Sequence, residues 1–287
     1  MTWVDAQEAF SSGKVALIPL GSTEQHGPHN PVGTDWIVPR YIASKIGQRS
    51  PSVFITPVLP FGYADYHSDF PGTISISEET LYHVLSDITE SLARHGVTHF
   101  IFLDGHGGNA HSCDRVCYDL RRRGLLGATI LWWDVIGVLD SSHSPAGHGD
   151  WVETAMTMAA VPQAVRMERA TPPPAKPLSA DLRLLTPHLI DFEGVPVHVV
   201  LRTKDFSDQG DMYEWGLTPN ADLTVPPTAA DAELGEQLCD LVADFVCRFV
   251  ETFRAAHIDP LPESGAIPVR FIPPAERAHS AAGRGES

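Results

Sequence analysis

The sequence predicts an α/β fold of three layers (αβα), with a mostly parallel sheet between two layers of helices. Short apolar runs typical of buried strands alternate along the chain with longer segments whose apolar residues recur at helical spacing. This alternation is typical of parallel sheets that carry helices on both faces. Three loops that lead into helices contain both histidine and carboxylate side chains. Because ligands bind open α/β sheets beyond the carboxyl ends of the strands, a functional site is expected where these loops meet.

The first strand and the helix after it are the clearest elements. An N-terminal helix is expected over residues 4–10, and the apolar run 15–20 predicts a buried strand. Residues 21–29 are too polar and too rich in glycine and proline to continue the sheet. A helical pattern follows from Trp36, opened by Thr34 and Asp35.

The rest of the chain continues the alternation of strand and helix. The predicted elements are, in order, a strand over residues 53–59, a helix over 80–95 with Ser77 as a candidate cap, a strand over 100–103, a helix from about 113 to 120, a strand over 128–132 and a helix after Glu153. Residues 195–202 and 209–217 indicate sheet and loop, and a final helix is expected over residues 232–253.

Two proline-rich segments interrupt this pattern. Residues 171–177 contain four prolines, which fit neither a helix interior nor a central strand, so they predict a loop or spacer. From residue 259 onward the chain is rich in proline and small or polar residues, which predicts an extended or disordered tail over residues 259–287. A surface strap on a neighbouring subunit is the alternative for this tail. The remaining residues, 1–258, are long enough for one large domain.

Composition and charge exclude several classes of function. A formal net charge of −16 argues against a nucleic-acid partner, because such binding needs clustered lysine and arginine. No segment approaches the roughly 18 consecutive apolar residues of a membrane span, and the first residues do not resemble a signal peptide. A cytoplasmic protein is therefore expected. Its four cysteines should be reduced and packed, with metal binding by Cys113 and Cys117 as the lesser alternative.

The histidine and carboxylate loops predict a metal site. Glu24 and His26 follow the first strand, and Asp35 comes nine residues later. His106 lies in a glycine-rich loop after the strand at residue 100, where small residues let the backbone approach a ligand closely. Taken alone, Asp35 fits a helix N-cap, and a single loop histidine is more often hydrogen-bonded than bound to metal. Their joint occurrence with His148 and Glu153 favours a site for Zn, Mn or Fe.

These motifs resemble those of the creatininase family of metal-dependent amidohydrolases. The matching segments are residues 20–29, 33–35, 70–73, 105–109 and 148–154, and they occur in family order. A weaker likeness continues to the helix at 232–253, and the last thirty or so residues are not covered. The resemblance implies the three-layer fold and a homohexamer or another oligomer.

The resemblance also implies two divalent ions in each subunit. Glu24, Asp35 and His106 would hold one ion, and His26 with the shared Asp35 would hold the second. Creatininase has a metal-ligating glutamate where this chain has Gly108, and a glutamate acting as base where this chain has Gly147. Glu153 is therefore predicted to be a metal ligand or a carboxylate next to the ligands, with a part in catalysis.

Other residues are assigned to the reaction or to the substrate. His148 is the candidate proton donor to the leaving nitrogen, because imidazole titrates near neutral pH, and a structural hydrogen bond is its alternative. Asn109 is expected to orient His106 or to contact substrate, and His67 to contact substrate unless it is a solvated loop histidine. A pocket wall is predicted from aromatic and methionine side chains, namely Trp132, Trp133, Met212, Tyr213 and Trp215.

The predicted function is metal-dependent hydrolysis of a C–N bond in a small, polar, cyclic amide. Family alternatives are a ring-opening hydrolase of an oxidised inositol, a peptidase and a deformylase. A metal-binding protein without enzymatic activity is the alternative from a different class.

Overall fold

The centre of the computed structural model is a parallel sheet of four strands. The structure describes residues 1–143, 146–170, 178–179, 181–186, 189–208, 210 and 225–261. The strands are β1 (Val15–Leu20), β2 (Val53–Ile55), β3 (His99–Asp104) and β4 (Leu126–Leu131). Their order in the sheet is β2-β1-β3-β4, and all three pairings are parallel. Helices cover both faces, which confirms the predicted three-layer class.

Seven α-helices among the described residues flank this sheet in two layers. They are α1 (Trp3–Ser11), α2 (Thr34–Arg49), α3 (Glu78–Ala93), α4 (Ala110–Arg122), α5 (Trp132–Leu139), α6 (Trp151–Ala160) and α7 (Ala232–Phe253). Val15 and Leu17 of β1 pack into the core shared with α2, α5, α6 and α7, whereas Ala16 and Ile18 pack into the core with α1, α3 and α4. This alternation follows from the two-residue period of a strand, because both faces of β1 are buried.

The register of the two central strands brings their loops to one level. Leu20, the last residue of β1, lies beside Asp104, the last residue of β3. The next residues, Gly21 and Gly105, both pack on the backbone at the start of α2. A Cβ atom at either glycine would lie 2.2 or 2.0 Å from the carbonyl oxygen of Asp35. Both loops can therefore approach the first turn of α2 only because these positions lack side chains.

Several element boundaries differ from the sequence-based prediction. The second strand ends at Ile55 rather than at residue 59, because Pro57 has no N–H for the ladder, although Leu59 still forms a bridge with Leu20. The interpretation of Asp35 as the N-cap of α2 was wrong. Gly33 is the N-cap residue, and no side chain of the described residues caps this helix. Ser77 does cap α3, as predicted, and its hydroxyl accepts the Thr80 N–H.

Helix α5 was not predicted from the sequence. The run around residues 128–132 predicted a strand that would include Trp132, but β4 ends at Leu131 and Trp132 begins the helix. The eight residues of α5 are almost all apolar, so their periodicity does not separate a buried helix from a strand.

A small antiparallel sheet follows α6. Its strands are β5 (Arg183–Thr186), β6 (Leu189–Phe192) and β7 (Val195–His198). Glu193 and Gly194 join β6 to β7, and both have positive φ, as a two-residue hairpin turn requires. The prediction of sheet and loop at residues 195–202 fits β7 and the coil after it. The predicted proline-rich loop at 171–177, most of the segment 209–217 and most of the tail lie outside the described residues.

Two further expectations concern cysteines and membranes. Cys113, Cys117, Cys239 and Cys247 are all free thiols, as predicted. Within the described ranges, no helix has the length and apolar character needed to cross a bilayer.

Candidate metal centre

The candidate centre lies at the carboxyl edge of the parallel sheet. Glu24 and His26 belong to the loop after β1, and His106 to the loop after β3. Asp35 and Glu153 lie in the first turns of α2 and α6. All five side chains are buried, with between 0 and 5% of their surface exposed. The fold thus brings together the five histidine and carboxylate residues that the sequence analysis predicted as metal ligands.

Asp35 lies at the middle of this cluster. Its Oδ1 atom is 2.8 Å from Nε2 of His26, and its Oδ2 atom is 3.2 Å from Nδ1 of His106. The two oxygens of one carboxylate therefore face two different imidazoles. A carboxylate in this position is suited to be shared between two cations.

Two sets of possible ligands meet at Asp35. In the first, Nδ1 of His106 lies 3.2 Å from Oε1 of Glu24, and both residues join Asp35. In the second, Nε2 of His26 lies 3.5 Å from Oε2 of Glu153. A further group, formed by Glu24, His26 and His148, also has its ligand atoms within 4.8 Å of one another.

Backbone carbonyls set the orientation of both central imidazoles. Nδ1 of His26 is 3.1 Å from the carbonyl oxygen of Glu24, and Nε2 of His106 is 2.7 Å from that of Tyr63. If these nitrogens donate, then Nε2 of His26 and Nδ1 of His106 each keep a lone pair directed at the carboxylates. Metal-binding histidines usually have such an acceptor behind the ring, which fixes the tautomer.

Three buried carboxylate oxygens of the cluster lack a hydrogen bond of good geometry to any described residue. Within the described part of the chain, neither oxygen of Glu24 nor Oδ2 of Asp35 has a hydrogen-bond partner. A buried, unsatisfied carboxylate is costly unless it is paired or binds a cation. These orphaned oxygens, with imidazole nitrogens opposite them, fit a divalent ion with mixed oxygen and nitrogen ligands.

The electrostatics of the cluster point the same way. Burial raises the pKa of Glu24 to about 7. Burial alone would lower the pKa of His26, but Asp35 and Glu153 outweigh it and raise that pKa well above its usual range. Burial likewise opposes ionisation of Asp35, whose pKa is nevertheless held below its usual range by His26 and His106. The cluster thus favours positive charge between its carboxylates.

Gly108 cannot carry a side chain in this structure. A Cβ atom there would lie 2.2 Å from the carbonyl oxygen of Tyr63 and 2.6 Å from Nε2 of His106. The carboxylate on the His26 side comes instead from Glu153, whose Oε2 also accepts the N–H of Gly149 at 2.7 Å.

His148 and His67 form a second layer of imidazoles over Glu24. Nε2 of His67 lies 3.2 Å from Oε1 of Glu24, and Nδ1 of His148 lies 3.5 Å from the same oxygen. The two rings are stacked, with centroids 4.3 Å apart. Burial, and then the neighbouring histidines, lower the pKa of His148 well below its usual range. His148 therefore faces the centre as a neutral imidazole, whereas His67 is buried beside it.

Asn109 and Trp133 lie next to the loop that carries His106. The fully buried amide of Asn109 donates to the carbonyl of Gly21 and to Asp104, and it accepts the N–H of Tyr63. The carbonyl oxygen of Tyr63 accepts from Nε2 of His106. Asn109 therefore helps to position that imidazole by holding the backbone of Tyr63. Trp133 is partly buried, and its ring lies 4.0 Å from where a Cβ atom of Gly107 would stand.

Of the other residues predicted to line a pocket, only Trp132 lies in the described part of the chain. Trp132 is buried in the core of the α2 layer, with 2% of its surface exposed. Met212, Tyr213 and Trp215 lie outside the described residues.

Sequence analysis missed several residues that support the cluster. Gln25 and Tyr63 are examples, as is Asp104, whose pKa burial raises to about 7. Gln25 stands between two predicted ligands, which was the one signal available for it. Tyr63 acts through its backbone carbonyl, so its side-chain identity gives no indication of that role.

Comparison with known families identifies the origin of this arrangement. A family model described as "Creatininase: Creatinine amidohydrolase" matches residues 1–250. The match includes every residue of the cluster.

Three curated relatives have different named activities. The creatinine amidohydrolase of Pseudomonas putida is 28% identical over 199 residues, which are 61% of this chain and 76% of that protein. The mycofactocin precursor peptide peptidase of Mycobacterium ulcerans is 33% identical over 171 residues, 57% of this chain and 65% of that protein. The 3-dehydro-scyllo-inosose hydrolase of Thermotoga maritima is 30% identical over 108 residues, 37% of this chain and 34% of that protein.

Solved structures share the same fold. A mutant creatininase described as "Zn-Zn type" superposes with a TM-score of 0.66 at 23% identity, and the match covers 88% of this chain and 96% of that one. At this identity the likeness concerns the fold.

Proposed function

The chain belongs to the creatininase family of metal-dependent amidohydrolases, and we propose that it hydrolyses a C–N bond in a small, polar, cyclic amide. The observation that carries this proposal is the position of Asp35, whose two oxygens face His26 and His106 from opposite sets of possible ligands. A carboxylate so placed is typical of paired-metal hydrolases.

The proposed ligands divide into two sets. Glu24, Asp35 and His106 would hold one divalent ion, and His26, Asp35 and Glu153 would hold the other. Zn and Mn, and also Fe, suit this mixture of imidazole and carboxylate. Such ions lower the pKa of a bound water toward neutrality and polarise a carbonyl group.

His148 is the proposed proton donor. Hydrolysis of an amide adds hydroxide to the carbonyl carbon, breaks the C–N bond and leaves a nitrogen that needs a proton. The imidazole of His148 is within 3.5 Å of Glu24 and keeps 11% of its side-chain surface exposed. The water that becomes hydroxide releases a proton, and this proton can replace the one that the neutral His148 gives to the leaving nitrogen, so that protons balance over the turnover.

Two alternative substrates have specific support. The peptidase relative is 33% identical and the inosose hydrolase relative 30% identical over their aligned regions. A peptide would suit the same chemistry of C–N hydrolysis, whereas a cyclic ketone would require cleavage of a C–C bond. We expect an oligomer on the basis of the family resemblance, and a cytoplasmic location on the basis of the sequence.

Metal analysis combined with substrate screening tests the proposal. We expect close to two equivalents of Zn, Mn or Fe per chain in protein purified without chelator. Turnover of a panel of cyclic amides, short peptides and keto-inositols should disappear on chelation and return when metal is restored. A metal content near zero would overturn the enzymatic proposal. Metal without turnover of any panel member would favour a binding protein.

A further inference from the structure

The side-chain amide of Gln25 contacts two histidines beside the candidate centre and the backbone of Gly210, which is distant in the chain. Its Nε2 atom is 2.8 Å from Nδ1 of His67, 2.9 Å from Nε2 of His148 and 2.9 Å from the carbonyl oxygen of Gly210. Its Oε1 atom accepts the N–H of Gly27 at 3.0 Å. Gln25 is 5% exposed, so these contacts are made away from bulk water.

The orientation of this amide is fixed by its two backbone partners. The N–H of Gly27 can only donate, so the atom facing it must be the amide oxygen. The carbonyl of Gly210 can only accept, so the atom facing it must be the NH₂ group. A flipped amide would place like groups opposite each other at both contacts. Nε2 is therefore the atom that faces the imidazoles.

The number of hydrogens on the amide nitrogen indicates which imidazole, that of His67 or that of His148, accepts from Gln25. The NH₂ group has two hydrogens, and one of them goes to the carbonyl of Gly210. Nδ1 of His67 also lies 2.5 Å from the hydroxyl oxygen of Thr203, which can satisfy that nitrogen either as donor or as acceptor. The second hydrogen of Gln25 is thus directed to Nε2 of His148.

We propose that Gln25 is a positioning residue that holds His148 in the tautomer protonated on Nδ1. If Nε2 of His148 carried the proton instead, an N–H would face the NH₂ group of Gln25 at 2.9 Å, which is unfavourable. With Nε2 accepting, Nδ1 carries the proton and faces Oε1 of Glu24. This inference rests on the proposed function, since it specifies how its proton donor is prepared.

The proposal also decides between two roles for His148. Glu24, His26 and His148 have ligand atoms close enough to hold an ion. A nitrogen that carries a proton has no lone pair for a metal, so Nδ1 of His148 is not a ligand in this tautomer. The centre then has two ion positions, both of which include Asp35.

Gly210 keeps the amide in place from the other side. A Cβ atom at this position would lie 1.7 Å from Oε1 of Gln25. Gly210 has φ of +92°, and Gly194, in the hairpin turn, has φ of +83° with no atom within 4 Å of its Cβ position. Alanine at either glycine carries the same backbone strain, but only Gly210→Ala displaces Gln25.

The direct test is the tautomer of His148 in zinc-loaded protein. Isotope-labelled histidine is observed by long-range proton–nitrogen NMR, and the signal of His148 among the 14 histidines is identified by its loss in His148→Asn. We expect the proton on Nδ1 in the wild type. Gln25→Glu should move it to Nε2, where a carboxylate accepts. Gln7→Glu, an exposed substitution with the same charge change, should leave the spectrum unchanged.

Variants extend the test to function. Gln25→Glu and Gly210→Ala should keep the zinc content of the wild type but lower kcat, by roughly 100-fold for Gln25→Glu if proton donation is lost. KM should change much less than kcat. Gly194→Ala should match the wild type in zinc content, tautomer and kcat.

Three outcomes would overturn the inference, and each differs from failure of the proposed function. One is a proton on Nε2 of His148 in the wild type, and another is an unchanged tautomer in folded, zinc-loaded Gln25→Glu. The third is a cadmium–nitrogen coupling at His148 in cadmium-substituted protein, which would make this residue a ligand. Protein that binds no zinc or cadmium would instead refute the proposed metal centre.

Discussion

Glu153 places a carboxylate in the cluster where Gly108 cannot. The loop after β3 packs so tightly on Tyr63 that Gly108 has no room for a side chain. Glu153 reaches the His26 side of the cluster from the first turn of α6 instead. A carboxylate on this side of the cluster thus comes from an element other than the loop of Gly108, and its Oε2 atom lies 3.5 Å from Nε2 of His26.

Glu153→Gln tests this assignment. Because an amide is a weaker ligand than a carboxylate for these ions, we expect metal content to fall from about two equivalents toward one. The set formed by Glu24, Asp35 and His106 should keep its ion. Elemental analysis measures the change, and Glu168→Gln, on an exposed turn, is the charge-matched control. Two equivalents retained in Glu153→Gln would make Glu153 a structural residue.

Gly108→Ala and Gly147→Ala form a matched pair at the two positions where creatininase has glutamates. Alanine at position 108 must displace the Tyr63 carbonyl or the His106 ring, so a loss of metal and of roughly 1–3 kcal/mol of stability is expected. At position 147 the nearest atoms to a Cβ are those of Asp150, at 3.8 Å. That variant should stay within about 0.5 kcal/mol of the wild type. Thermal unfolding and metal analysis would compare the two, and equal effects would contradict this packing argument.

At the residue scale, the sequence predicted the candidate ligands better than the residues that position them. Glu24, His26 and Asp35 stand in one motif, and chemistry alone suggested that they converge. Asn109 was expected near His106, but its route through the backbone of Tyr63 depends on a chain separation of more than forty residues. No local pattern records such a contact.

At the scale of elements, the alternation of strands and helices was predictable because each central strand is buried on both faces. Helix α5 was not, since its residues are apolar on nearly every side and it begins directly after β4. The small sheet of β5, β6 and β7 was only partly anticipated. All four residues of β7 are exposed, so it lacks the alternation by which a half-buried strand is recognised.

A group of ion pairs connects α2 to α7 at the edge of the core. Lys45 contacts Glu236 and lies 2.8 Å from Asp240, and Arg49 lies 2.7 Å from Asp244. Hydrogen bonds from Lys45 and Tyr41 lower the pKa of Glu236. Burial opposes ionisation of Asp240, but Lys45 and Arg49 still lower its pKa.

Lys45→Met should therefore weaken the protein in a pH-dependent way. Because the acids have lower pKa values folded than unfolded, their contribution is present above about pH 4.5 and is lost as pH falls through the folded values. The side chains of Glu236 and Asp240 are 45% and 41% exposed, so screening keeps the expected loss on the order of 1 kcal/mol at pH 7.

Thermal unfolding from pH 7 to pH 3 measures this effect. The difference between wild type and Lys45→Met should shrink toward the acidic end. Lys204→Met removes the same charge from an exposed pair with Asp208 and should show a smaller difference throughout. A difference for Lys45→Met that is constant with pH would show that lost packing, rather than the ion pairs, causes the destabilisation.

At the scale of the whole molecule, the candidate centre joins elements that are distant in the chain. Its proposed ligands come from the loop after β1, from α2, from the loop after β3 and from α6. A cation at the centre would therefore tie both central strands to two helices of the same layer. The chain carries a formal net charge of −16, and uncompensated carboxylates at the centre add to this repulsion.

Removal of metal should accordingly destabilise the entire fold. A ligand present at 100 times its dissociation constant stabilises the native state by about 2.7 kcal/mol, which corresponds to roughly 5–10 °C in Tm for a domain of this size. We expect a chelator to lower Tm by at least that amount, and restored zinc or manganese to reverse the change. Asp35→Asn is the informative control, because Asp35 belongs to both sets of ligands. Its Tm should start lower and hardly respond to the chelator. If metal-loaded wild type kept its Tm after the metal was removed, the centre would make no contribution to folding, and the four elements would be held by apolar packing alone.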